Sequence, residues 1–177
     1  MKILVLEGSP HKKGSSNTLA EQFIKGAEEA GHNVKVLDVA HMNIHPCQGC
    51  DACGMRGSCV QNDDMQIVEQ EMRSADMVAF VSPIYYFGMS AQLKLVIDRF
   101  YSFNSSISGK GLKTVLIAAA WDSNPKTLGY LKDHYLGICN YLGFEDCGMI
   151  LGTGCGTASM TRGTAHMDAA YKLGKSI

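Results

Sequence analysis

Five short runs of apolar and β-branched residues, at 3–6, 34–39, 77–81, 113–120 and 145–151, alternate with stretches of helical spacing. Those stretches cover 18–30, 64–73, 89–101, 125–142 and 164–175. Strands separated by helices cannot close as hairpins, so the alternation implies a parallel sheet covered on both faces, with right-handed crossovers. Five strands in 177 residues suit a doubly wound sheet of order 2-1-3-4-5, with ligands at the carboxyl ends of the strands. The whole chain, 1–177, reads as one α/β domain with an irregular cysteine-rich loop at about 41–63.

Composition excludes several classes of function. Hydrophobic residues make up 46% and charged residues 19%, and the net charge is −1. That is an ordinary globular balance, with no basic field for nucleic acid and no polybasic arm for lipid. No apolar run approaches the ~20 residues of a membrane helix. The chain opens on a strand pattern without a signal peptide, so a cytoplasmic location is expected. In that reducing setting the seven cysteines are not expected to form structural disulfides.

The chemistry gathers at three strand ends. Behind the first strand lies Gly8-Ser-Pro-His-Lys-Lys-Gly-Ser-Ser-Asn-Thr18, followed by an amphipathic helix. A helix start offers unpaired N–H groups and partial positive charge, and Ser9, Ser15, Ser16, Asn17 and Thr18 add donors. This suits a phosphate, although the same residues also serve as ordinary helix caps. The loop lacks the triphosphate signature Gly-Lys-Ser/Thr and the dinucleotide signature Gly-x-Gly-x-x-Gly. The later Gly152-x-Gly154-x-Gly156 reads as a flexible loop. A third-strand loop, Ser82-Pro-Ile-Tyr-Tyr-Phe-Gly88, brings three adjacent aromatics to the same edge, and the fourth brings Trp121. Aromatic loops alone point to packing. Their convergence on a phosphate edge points to a mononucleotide with a large ring system.

Three blocks then carry a family resemblance: Gly8-Ser9-Pro10…Gly14-Ser-Ser-Asn17-Thr18, Ser82-Pro83-Ile84-Tyr85-Tyr86-Phe87-Gly88, and Gln92-Leu-Lys94-Leu-Val-Ile-Asp98-Arg99. The chain resembles the NADPH-dependent FMN reductase branch of the flavodoxin-like superfamily. The resemblance implies bound FMN and a homodimer with the flavin near its interface. By analogy Ser9, Ser16, Asn17 and Thr18 hold the phosphate with help from His11, which stands where Arg or Lys is common. Pro83, Ile84, Tyr85, Tyr86, Phe87 and Gly88 would line the isoalloxazine, flanked by Ala120, Trp121 and Asp122. The helix bearing Leu93, Val96, Ile97 and Phe100 could supply interface surface. The flavin carries the redox chemistry, so no catalytic residues are assigned.

Cys47-x2-Cys50-x2-Cys53-x5-Cys59 is the second strong feature. Four thiolates at this spacing can wrap one metal centre. The arrangement resembles the iron–sulfur flavoproteins, which implies a [4Fe–4S] cluster exchanging electrons with FMN. Zinc, free thiols and a redox pair are the alternatives. The expected function is FMN-dependent transfer of electrons from NAD(P)H to a small acceptor such as a quinone. The alternative is an electron carrier fed by a ferredoxin. A flavin-binding module with a regulatory partner has no supporting feature.

Overall fold

A computed structural model describes residues 1–177. Its strands are β1 (Lys2–Glu7), β2 (Asn33–Leu37), β3 (Met77–Tyr85), β4 (Lys113–Ala119) and β5 (Glu145–Gly152). The main helices are α1 (Ser15–Glu29), α2 (Met65–Ser74), α3 (Ala91–Arg99), α4 (Gly129–Leu142) and α5 (His166–Ser176). All four pairings among β1–β5 are parallel, in the order β2-β1-β3-β4-β5. The fold is the α/β flavodoxin-like architecture that the alternation predicts.

Side-chain alternation divides the core between the two faces of the sheet. Leu4, Leu6, Val78, Phe80, Leu116 and Ala118 belong to a cluster of 27 buried residues with α2, α3 and α4. Ile3, Val5, Met77, Ala79, Val81, Val115 and Ile117 belong to a second cluster of 15 with α1 and α5. On that second face α1 and α5 approach backbone to backbone. A Cβ on Gly174 would stand 2.0 Å from the Phe23 carbonyl oxygen, and one on Gly26 2.2 Å from that of Tyr171. No helix is long and apolar enough to cross a membrane.

Several boundaries differ from the sequence reading. β3 continues four residues beyond 81, because Ser82 and Pro83 stay paired with Ala118 and Ala119 of β4. Ile84 and Tyr85 then pair antiparallel with Met89 and Gly88, closing a hairpin on Tyr86 and Phe87. Both turn residues have positive φ, 47° and 66°. A two-residue hairpin turn demands that conformation and normally places Asn or Gly there. The expected aromatic loop is therefore a strand end and a tight turn. The helix expected over 125–142 starts as a 3₁₀ turn, Pro125–Leu128, because Asn124 and Pro125 cap a tight first turn. The pattern at 164–175 yields α5 preceded by a separate short helix, Ala158–Arg162.

Candidate functional site

The loops after β1, β3, β4 and β5 enclose a cavity of about 670 Å³ at the carboxyl edge of the sheet. Hydrogen bonds across long sequence separations hold them together. Ser90 caps α3, accepting from Leu93 N–H at 3.2 Å, and donates its hydroxyl to the Gly8 carbonyl at 2.6 Å. Gly8 N–H donates to the Val81 carbonyl at 2.8 Å. A side chain at Gly8 would collide with Leu93, its Cβ lying 2.5 Å from Leu93 Cβ.

The first loop turns tightly from Ser9 to Gly14. Gly14 N–H donates to the His11 carbonyl at 2.8 Å, and the Ser9 hydroxyl both accepts from His11 N–H and donates to His11 O. A Cβ at Gly14 would stand 2.8 Å from Ser9 Oγ and 2.9 Å from His11 O, so the turn closes only around glycine. Gly14 is also the N-cap of α1 and has no side chain to cap it. The first-turn N–H groups of α1 thus keep their capacity to bind an anion. Ser9, His11, Lys12, Lys13 and Ser15 line the cavity beside them.

Ser16, Asn17 and Thr18 do not line that cavity. They are buried at 0%, 1% and 2% exposure and serve the loop instead. The Asn17 amide donates to Glu7 Oε2 and to the Lys12 carbonyl, at 3.2 and 3.3 Å. The Thr18 hydroxyl donates to the Gly14 carbonyl, and that of Ser16 has only a 3.5 Å contact with Asn17 Oδ1. Helical rotation turns these three side chains toward the protein, while Gly14 and Ser15 at the helix start line the cavity. The positive charge comes from Lys12 and Lys13, which the sequence reading passed over although both were visible in the loop. Glu7, at the base of the loop, has its carboxyl pushed up to about 7 by burial, with the nearby charges of Asp38 and Glu21 adding to the effect.

The opposite wall is apolar. Pro83, Ile84 and Tyr85 line it together with Ala119 and Trp121. Tyr86, Phe87 and Gly88 lie outside the lining: the hairpin carries them away, leaving Tyr86 fully exposed and Phe87 edge-on to Tyr130 at 5.7 Å. Ala120 is buried and bonds through its backbone to Gly152 and Cys155. Asp122 accepts from Asn124 N–H and the Thr127 hydroxyl, both at 2.8 Å, which shapes its own turn. Neither Ala120 nor Asp122 reaches the cavity.

The segment expected as a flexible loop after β5 forms the remaining wall, with Cys155, Gly156, Thr157 and Ala158. It is stitched to the β4 loop by Ala120 N–H to Gly152 O, Gly154 N–H to Asp122 O and Cys155 N–H to Ala120 O, all within 2.7–2.8 Å. Trp121 lies flat on Gly156, where a Cβ would come within 2.7 Å of the indole. The Gly-x-Gly-x-Gly run was the available signal, because glycine admits close approach of backbone to a ring.

The cysteine-rich loop forms a second centre. All seven cysteines are free thiols. Cys47, Cys50, Cys53 and Cys59 line one small cavity with Arg99, Tyr101 and Ser102. No three His, Cys, Asp or Glu side chains gather closely enough to hold a single metal ion. The neck of the loop is closed by Arg99, whose Nη1 donates to the His45 carbonyl and to Asp63 Oδ2, both at 2.7 Å. Its Nη2 donates to Asp63 Oδ1 at 3.1 Å. Burial alone would raise the Asp63 carboxyl, but Arg99 and the N–H groups of His45 and Met65 pull it down to about 2. The loop tip is tied by Tyr101 Oη to Asp51 at 2.8 Å. Leu93, Val96, Ile97 and Phe100, expected to offer an interface, are buried in the protomer's own core. The exposed aromatics beside Ile97 and Phe100 are Tyr101 and Tyr141, which line one groove with them.

The family model described as NADPH-dependent FMN reductase matches residues 1–137. An iron–sulfur flavoprotein of Archaeoglobus fulgidus is 31% identical over 134 residues, which is 75% of this chain and 61% of that protein. The chain spans about half the length of the similar iron–sulfur flavoproteins that follow, 51% and 48%. YwqN of Bacillus subtilis, provisionally named an NAD(P)H-dependent FMN-containing oxidoreductase, is 29% identical across 98% of this chain and 96% of its own. Among solved structures, an NAD(P)H:quinone oxidoreductase from Methanothermobacter marburgensis superposes with a TM-score of 0.81 at 22% identity, covering 99% of this chain and 95% of that one.

Proposed function

We propose, for a chain that belongs to the NADPH-dependent FMN reductase family, that the large cavity binds FMN and that the protein passes electrons from NAD(P)H to a small acceptor such as a quinone. One observation carries this reading. An uncapped helix start with two lysines and an apolar wall ending in an exposed tryptophan face each other across one cavity of mononucleotide size. The residues present fit the flavin. Gly14 leaves the α1 amides open to the phosphate, and Lys12 and Lys13 neutralise its charge. Pro83, Ile84 and Tyr85 offer one flat wall, and Trp121, seated on Gly156, offers a second. FMN supplies hydride acceptance and electron release when bound. The protein's part is to fix the ring against these walls, anchor the phosphate and leave a rim open to the nicotinamide and acceptor. A homodimer is part of this reading, supported by the exposed Phe87, Tyr130 and Tyr141 and by an apolar groove of about 430 Å³ between α3 and α4.

The test is titration of the purified protein with FMN, followed by NADPH oxidation with a quinone. Quenched flavin fluorescence and quinone-dependent turnover are expected. Replacing both Lys12 and Lys13 with Ala should weaken FMN binding at least tenfold, about 1.4 kcal/mol, since each lysine loses a charge-assisted contact of about 1.5–3 kcal/mol. FMN binding unaffected by that change overturns the phosphate assignment.

A second reading is favoured by the four cysteines that share one cavity. Four thiol donors fit a [4Fe–4S] cluster, which spreads its ligands farther apart than a single ion does. Under that reading Cys47, Cys50, Cys53 and Cys59 hold a cluster and the protein carries single electrons, with a ferredoxin as donor. Reduction by ferredoxin without NADPH turnover would favour it.

A further inference from the structure

Arg99 is the last residue of α3 and is 2% exposed. Its two terminal nitrogens are satisfied at the neck of the cysteine loop by Asp63 and the His45 carbonyl. Its Nε–H has no partner, and it is the one buried side-chain polar atom in the protein left so. A buried donor without an acceptor is rare in native structures and calls for an explanation. The guanidinium is a planar fork: with both Nη atoms turned to the neck, the Nε edge is its remaining donor. Arg99 also lines the cavity that the four cysteines share. A second small cavity, again lined by Arg99 and Cys59, adjoins it. Cys59 lines both cavities with Arg99, as do Gln61 and Ser102, so cysteine sulfur is among the acceptor groups around the guanidinium.

We propose that Arg99 is a positioning residue for the cysteine centre, its Nε–H donating a hydrogen bond to sulfur held by the loop of Cys47, Cys50, Cys53 and Cys59. The proposal rests on the second reading above, in which these cysteines hold a [4Fe–4S] cluster. One residue then does two things. Its Nη edge closes the loop at His45 and Asp63, which fixes where the first and last cysteines emerge. Its Nε edge reaches the sulfur. Hydrogen bonds to cluster sulfur are one of the determinants of reduction potential. Such a bond is stronger in the reduced state, which carries more negative charge, so Arg99 raises the potential.

The discriminating substitution is Arg99→Lys. Lysine keeps a positive charge to face Asp63 but has no Nε–H in that position. Wild type and variant are reconstituted anaerobically with iron and sulfide, and iron content, melting temperature and the cluster's midpoint potential are measured. Arg99→Lys should make reduction about tenfold less favourable, a negative shift of about 59 mV for a one-electron couple. Asp63→Asn is the control, since it loosens the neck and lowers the melting temperature while leaving Nε in place. Equal potentials in wild type and Arg99→Lys overturn the proposal. So does an Asp63→Asn shift as large as that of Arg99→Lys, which would mark Arg99 as structural only. If the wild type takes up no iron, the cluster reading itself fails, and the assignment of Arg99 falls with it. Should Arg99→Lys not fold, pulsed EPR of the reduced protein grown with ¹⁵N-arginine replaces it, with Arg56, the arginine inside the cysteine loop itself, changed by Arg56→Lys so that it gives no nitrogen signal of its own. A nitrogen coupling to the cluster is expected, and its absence overturns the proposal.

Discussion

Replacing Asp63 with Asn removes one charge from the most deeply buried ion pair in the protein, in which the side chains of Arg99 and Asp63 are 1% and 0% exposed. The Asp63 carboxyl ordinarily titrates near 3.8 and is held at about 2 by Arg99 and two backbone N–H groups. That depression of nearly two pH units corresponds to roughly 2 kcal/mol of stability at neutral pH. The carboxyl is lowered in the folded state, so the contribution is present above the unfolded value and fades as pH falls. By the same linkage about half of it remains at pH 3. The substitution also leaves Arg99 charged and buried without its counter-ion, which raises the expected loss toward the ~3–5 kcal/mol seen when one partner of a buried pair is removed. Urea unfolding at pH 7, 5 and 3 reads both effects. Asp63→Asn should lose at least ~2 kcal/mol at pH 7, and its stability should fall less steeply than wild type between pH 5 and 3. A loss under ~1 kcal/mol, or an unchanged slope, would show that the pair contributes no more than an exposed one.

Glu7 titrates the other way. Its folded carboxyl is raised to about 7, so stability is complete below its ordinary 4.5 and falls as pH rises toward 7. Glu7→Gln keeps an acceptor for Asn17 and should raise the melting temperature at pH 8 but not at pH 4.5, the gain capped at ~3 kcal/mol and reduced by partial exposure. Equal shifts at both pH values would refute it. Gly156→Ala should lift Trp121 off its seat, since the new methyl would stand 2.7 Å from the indole; altered tryptophan fluorescence and weaker FMN binding with the fold intact are expected. Gly174→Ala should separate α1 from α5 and cost at least the ~1–3 kcal/mol typical of overpacking, because the carbonyl of Phe23 cannot yield as a side chain would. A melting temperature within a degree or two of wild type would refute that.

Five strands, their order and the sheet edge where the large cavity lies follow from local pattern. The runs at 3–6, 34–39, 77–81, 113–120 and 145–151 are each too short and β-branched for helices, and the amphipathic stretches between them force parallel crossovers. The first loop as a glycine-framed turn into a helix start was equally legible, because helix starts and glycine turns are local features. Which side chains face the cavity was not. Ser16, Asn17 and Thr18 turn inward because the register of α1 points them at Glu7 and the loop carbonyls, and that register depends on how α1 sits on the sheet. The aromatic turn escaped the sequence because β3 is prolonged by pairing with β4, a strand more than 30 residues away. The wall built from Cys155 to Ala158 exists through bonds to the β4 loop, and Trp121 finds its seat only where Gly156 meets it. Arg99 and Asp63 lie 36 positions apart, and neither periodicity nor spacing shows that one closes the cysteine loop against the other. Periodicity records what each segment buries. Contacts between loops depend on where the packed sheet sets down their ends, so tertiary structure alone decided the finished site.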